Sequence, residues 1–123
     1  MGRFGDLEAE IMDVVWAAGD PIRVREVSEQ LNRVRPLAFN TVQTVMENLY
    51  RKGWLGRQKE GRAYQYKAAR TRDDYAAGLL AEALSAARDP AATLVRLAGN
   101  LAPGEAARLR AALDARADRE ARS

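Results

Sequence analysis

Asn40, Thr41, Gln43 and Thr44 stand almost together in the chain, and each can both donate and accept hydrogen bonds. Such side chains reach base edges in a major groove. They lie within R-P-L-A-F-N-T-V-Q-T-V-M-E-N-L-Y-R-K-G-W, residues 35–54. In that stretch Val42, Val45, Met46 and Leu49 recur at i, i+3, i+4 and i+7, one face of a helix. The opposite face carries Asn40, Gln43, Thr44, Glu47 and Arg51, with Thr41 and Asn48 on its flanks. A merely solvated face more often repeats Glu and Lys. Pro36 pushes the residue before it out of the helical region, and Gly53 stands where a C-terminal cap belongs.

A second chemistry-bearing group surrounds the first. Arg35, Arg51 and Lys52 flank the helix, and Lys59 and Arg62 fall near a turn at Lys59-Glu60-Gly61-Arg62. Cations so placed meet phosphates rather than bases. The turn joins the aromatic-containing runs 54–58 and 63–67, with Gly61 free to take positive φ, so a β-hairpin is predicted. The predicted fold is mostly α with a small antiparallel β-wing. It comprises a winged helix-turn-helix domain over 1–70 and a helical dimerisation domain over 71–123.

Net charge is only +3 over 123 residues, but it is unevenly spread. Residues 1–32 hold three arginines against seven carboxylates, a net of −4. Residues 33–72 hold ten cations against Glu47 and Glu60, a net of +8. Residues 73–123 hold seven arginines against eight carboxylates, a net of −1. Positive charge concentrated on a groove-reading helix and its hairpin is the footprint of a polyanion. Cysteine and histidine are absent, so disulfides and the commonest zinc and copper sites are excluded and no metal or cofactor is expected. No apolar run approaches the roughly 18 residues that span a bilayer, and M-G-R-F-G-D lacks the apolar core of a secretory leader. A cytoplasmic protein without membrane contact of its own is expected.

Upstream, Asp6 to Ala18 reads as a first helix with Leu7, Ile11, Val14 and Val15 on one face and Asp6 as N-cap. Gly19-Asp20-Pro21 stops it. Ile22-Arg23-Val24 reads as a short strand that adds to the hairpin, and Arg25 to Val34 as a second helix facing Val27 and Leu31 inward. The expected core is Leu7, Ile11, Val15, Val27, Leu31, Val42, Val45, Leu49, Leu55 and Tyr64.

G-D-L-E-A-E-I-M-D-V-V-W at 5–16, V-R-E-V at 24–27, R-P-L-A-F-N-T-V-Q-T-V at 35–45 and K-G-W-L-G-R-Q-K-E-G-R-A-Y-Q-Y at 52–66 resemble the penicillinase repressor family. These are bacterial repressors similar to the β-lactamase and methicillin-resistance repressors. The resemblance implies an antibiotic-response transcriptional repressor, a homodimer on an inverted-repeat operator of double-stranded DNA, often of TACA/TGTA type. Asn40 stands where many members carry Thr, which bears on base preference at one operator position. Copper-sensing members carry clustered C-terminal cysteines, absent here. The resemblance also implies a membrane-anchored sensor metalloprotease that cleaves in the C-terminal region. The matching residues are Asn100-Leu101, where cleaved members can have Asn-Phe; a loop without a proteolytic role is the plainer reading.

Downstream, helices are expected from Asp73 to about Arg88, from Ala91 to Gly99, and from Pro103, with fraying beyond Asp114. Tyr75, Leu79, Leu80, Leu84, Leu94, Leu97, Leu109 and Leu113 supply more apolar surface than three short helices can hide in one chain. A second copy is the simplest cover. Against the DNA-binding reading stand two rivals. An enzyme has no Gly-rich phosphate loop and no nucleophile motif here. A winged-helix module that binds protein conflicts with the +8 segment, since protein interfaces deplete charge at their centre.

Overall fold

The apolar stripes of the first three helices close on neighbouring elements in the computed structural model, which describes residues 3–122. In chain order the elements are α1 (Asp6–Ala18), β1 (Ile22–Arg23), α2 (Val24–Asn32), α3 (Phe39–Arg51), β2 (Leu55–Glu60), β3 (Ala63–Ala68), α4 (Arg72–Ala86), α5 (Pro90–Gly99) and α6 (Pro103–Ala121). The three strands form an antiparallel sheet in the order β1-β3-β2. This is a mostly helical winged helix-turn-helix followed by further helices.

Ile11, Met12 and Val15 of α1, Val24, Val27 and Leu31 of α2, and Val42, Met46 and Leu49 of α3 form one core with Ile22, Trp54, Leu55 and Tyr66. Withdrawing each such side chain from water contributes roughly 1.5–3 kcal/mol. Leu7 and Val45 are only partly buried against it. Tyr64, expected inside, is 39% exposed, and Tyr66 at 1% takes that place. Both tyrosines share a face of β3, as alternation requires. Tyr66 lies nearer the domain, and Tyr64 has run past its edge toward the hairpin tip.

The joints are made by particular residues. Gly5, not Asp6, is the N-cap of α1, and its N–H donates to Glu8 Oε1 at 2.9 Å. Asn32 at the end of α2 donates from Nδ2 to the Ser28 carbonyl at 2.7 Å and accepts the Leu37 N–H on Oδ1 at 2.9 Å. One side chain thereby fixes the turn that delivers α3. At the far end of α3, Gly53 takes φ +87°, its N–H donating to the Tyr50 carbonyl and the Trp54 N–H to the Leu49 carbonyl. That pair of bonds is a Schellman motif, and it turns the chain directly from α3 into β2. Between β2 and β3, Glu60 pairs with Ala63, leaving the two-residue turn Gly61-Arg62. Positive φ at Gly61 alone gives it the type II′ pattern, which suits strand twist.

The chain divides into two compact units between Leu80 and Ala81, inside α4 rather than ahead of it. Tyr75 is the reason. Expected in a dimer stripe, it stacks on Phe4 at 4.1 Å, and its hydroxyl accepts the Phe4 N–H at 2.8 Å. Trp16 and Trp54 complete the aromatic cluster. Thr71 and Asp74 cap α4 reciprocally, each N–H donating to the other's side chain.

In the second unit α5 is capped by Asp89, whose Oδ1 accepts the Ala92 N–H. Helix α6 runs to Ala121 instead of fraying from Asp114, because the segment has strong helix formers, no breaker, and an Arg116–Glu120 pair one turn apart. No residue of α5 or α6 is buried among the described residues. Leu109 and Leu113 stand about half exposed.

A β-carbon at Gly53 would meet no atom within 4 Å, so a side chain there costs only backbone strain. Gly53→Ala is therefore expected to lower unfolding free energy by about 1–2 kcal/mol, the left-handed penalty of an L-residue. Urea denaturation checks this; an unchanged midpoint contradicts the cap.

Candidate nucleic-acid interface

Burial of Val42, Met46 and Leu49 rotates the other side of α3 to the surface, where Asn40, Thr41, Gln43 and Thr44 are all exposed. They occupy the first two turns of the helix. The N-cap, Ala38, has no side-chain acceptor, so no side chain occupies the first-turn amides. Phe39 opens the helix 45% exposed. An open hollow of about 360 Å³ runs from α3 to the hairpin and is lined by Arg25, Phe39, Gln43, Glu47, Arg62 and Tyr64, among others.

The cations expected on phosphates divide into two groups. Lys59 and Arg62 sit exposed at the hairpin tip and form no ion pair among the described residues. Arg51 is hydrogen-bonded from Nη2 to Asn48 Oδ1. Arg35 and Lys52, however, already hold carboxylates of α1: Arg35 Nη2 lies 2.9 Å from Glu10, and Lys52 Nζ lies 2.8 Å from Glu8. Exposed pairs of this kind are worth about 0.2–1 kcal/mol, so a phosphate can displace them at small cost. Burial pushes the Glu8 carboxyl up; Lys52 and the Gly5 N–H outweigh it and hold the group below the usual carboxylate range.

Sequence reading missed three contributors. Arg25, in the first turn of α2, faces the hollow without an ion pair among the described residues. Phe39 opens α3 immediately ahead of Asn40, a place in the sequence that was a usable signal. Arg57 lies with its guanidinium carbon 4.1 Å from the ring centroids of both Tyr50 and Tyr64. That arrangement needs the register of two strands and a helix, and no local pattern announces it.

Exposed hydrogen-bonding side chains on α3 thus stand beside a cationic hairpin tip. The sequence matches the penicillinase repressor family over residues 4–115. The chain belongs to that family. It is 39% identical over 114 residues to the transcriptional regulator BlaI of Mycobacterium tuberculosis (strain ATCC 25618 / H37Rv), spanning 90% of this chain and 83% of that one. It is 33% identical over 73 residues to the penicillinase repressor of Bacillus licheniformis, 59% of this chain and 56% of that one. Among solved structures, the DNA-binding domain of the repressor BlaI in solution superposes with a TM-score of 0.53 at 33% identity. It covers 59% of this chain and 88% of that one. The monomeric form of Bacillus licheniformis BlaI in complex with the blaP half-operator gives 0.51 at 32% identity, over 60% and 89%. The family is one of transcriptional repressors, not enzymes.

Leu79 and Leu84 are half-buried on α4, and Leu80, Leu94, Leu97, Leu109 and Leu113 are exposed on α4, α5 and α6. Asn100 and Leu101 fall in the short link between α5 and α6, Asn100 exposed and Leu101 half-buried. No group of three or more acidic side chains is placed to hold a metal ion among the described residues. No described helix is long and apolar enough to cross a membrane.

Because the Glu8 carboxyl is depressed in the folded state, its pairing stabilises above the unfolded value of about 4.3 and is lost as pH falls through the folded value. Glu8→Gln is expected to cost about 0.2–1 kcal/mol near neutrality and nothing in acid below that window. Urea midpoints across pH check this; a pH-independent difference contradicts the pairing.

Proposed function

We propose that this chain is a DNA-binding transcriptional repressor, a cytoplasmic homodimer acting on an inverted-repeat operator. One observation carries the reading: the exposed hydrogen-bonding face of α3 lies beside a hairpin whose tip presents Lys59 and Arg62. Asn40, Thr41, Gln43 and Thr44 read base edges, since the N-terminal part of a recognition helix is what meets them. Arg51, Lys59 and Arg62 take phosphates, joined by Arg35 and Lys52 once these leave their α1 carboxylates. The M. tuberculosis relative named a transcriptional regulator and the half-operator complex of the B. licheniformis repressor support the assignment.

Dimerisation through α4 to α6 is supported by Leu80, Leu94, Leu97, Leu109 and Leu113, which the chain leaves exposed. A two-fold pair of winged domains fits half-sites about one helical turn, or a multiple, apart. Linkage raises the effective concentration of the second domain at its half-site. Release by a sensor protease at Asn100–Leu101 is the finer possibility of the same reading, supported by the position of that link between two helices.

Thr44→Ala and Asn40→Ala are expected to lose about 1–3 kcal/mol on the selected operator and far less on scrambled duplex. Fluorescence anisotropy titrations decide; equal losses on both duplexes contradict base reading. Arg62→Ala is expected to weaken every duplex alike and to reduce the salt slope by about 1. In sedimentation, full-length protein is expected to be dimeric and Leu97→Asp monomeric, with weaker operator binding. A monomeric Leu97→Asp protein of unchanged affinity contradicts the dimer.

A further inference from the structure

The core face of the hairpin changes chemistry along its length. On β2, Leu55 is buried, Arg57 half-buried and Lys59 exposed; on β3, facing them, Tyr66 is buried and Tyr64 exposed. Arg57 thus stands where the hydrophobic core ends and the projecting wing begins. Its guanidinium lies over the Tyr50 ring from the last turn of α3 and the Tyr64 ring from β3, each centroid at 4.1 Å. Its Nη1 donates a long hydrogen bond of 3.4 Å to the Tyr66 hydroxyl, and Tyr66 is its cross-strand partner. Tyr64 and Tyr66 meet edge to face at 6.4 Å. The Tyr66 hydroxyl, outweighing some desolvation and helped by the neighbouring phenols, raises the guanidinium's pKa from its ordinary value, and an arginine is charged in any case.

We propose that Arg57 is a positioning residue: it clamps the wing to the end of the recognition helix, so that Lys59 and Arg62 are held at a fixed distance from the base-reading face. The planar guanidinium suits this task because it stacks on aromatic faces, whereas a lysine ammonium is a compact, strongly hydrated charge. At its base the wing is held by Leu55 and Tyr66 in the core and by the pairing of β3 with β1, but those anchors stop short of the tip. The clamp between Tyr50 and Tyr64 adds an attachment to α3 nearer the tip. With Arg57 committed to these rings, its role on DNA is indirect, unlike that of Arg62.

The consequence for DNA rests on the repressor reading above, and the test therefore has one arm without DNA. In the free full-length protein, amide order parameters at Gly61 and Arg62 are measured for wild type, Arg57→Lys and Arg57→Ala. Both variants are expected to lower them while leaving the α3 amides unchanged; unaltered tip order overturns the clamp. In the second arm the operator selected by the wild-type protein is titrated. Arg57→Lys, although it keeps the charge, is expected to lose about as much affinity as Arg57→Ala. Arg62→Ala is expected to cost roughly half as much or less in the Arg57→Lys background as in wild type, the non-additivity of coupled residues. If Arg57→Lys binds like wild type, or Arg62→Ala costs the same in both backgrounds, Arg57 is an ordinary phosphate ligand and the proposal fails. If wild type selects no sequence while the tip still loosens in the variants, the repressor reading fails and the clamp stands.

Discussion

Val42, Met46 and Leu49 are completely withdrawn from water, and the rest of the surface depends on that burial. A helix cannot bury these three positions under α1 and α2 without presenting Asn40, Gln43 and Thr44 on its other side. Rotation of α3 about its axis would expose core methylene groups at roughly 0.8 kcal/mol each, which is why the polar face is fixed rather than adjustable. Asn32 sets where the helix starts, and Gly53 sets where the chain leaves it. Both are local hydrogen-bond devices acting on an orientation already decided by the core.

Electrostatics is layered on this frame in a way the net charge hides. The acidic first helix does more than balance the basic segment: Glu8 and Glu10 each hold one of its cations. Part of the positive charge near α3 is therefore already paired. Among the described residues Lys59 and Arg62, at the tip, and Arg25, in α2, form no ion pair. Arg25 and Arg62 line the hollow between helix and wing, where Arg23 is instead paired with Glu60, and Arg35 and Lys52 are paired at the junctions with α1.

Much of this was legible in the sequence. The 3.6-residue spacing in 42–49 gave α3 and its polar face, and Gly53 and Gly61 punctuated the hairpin where positive φ is found. The short strand at Ile22-Arg23 was also legible. What was not legible is long-range. The pairs Arg35–Glu10 and Lys52–Glu8 join residues 25 and 44 positions apart, which no local pattern encodes. Alternation puts Tyr64 and Tyr66 on the same face and cannot tell which lies nearer the core. Tyr75 fits a helical stripe with Leu79 in sequence, yet the Phe4 ring and N–H draw it into the first unit. The apolar stripe and the aromatic cluster compete for the same residue, and only packing resolves that.

The most direct measurement is selection of bound duplexes from a random pool by the full-length protein at physiological salt, followed by sequencing. A chain that reads bases with α3 and pairs through its C-terminal helices enriches one inverted repeat, its half-sites separated by about one helical turn or a multiple. Recovery of a pool with no enriched sequence, bound only through salt-sensitive phosphate contacts, would contradict it.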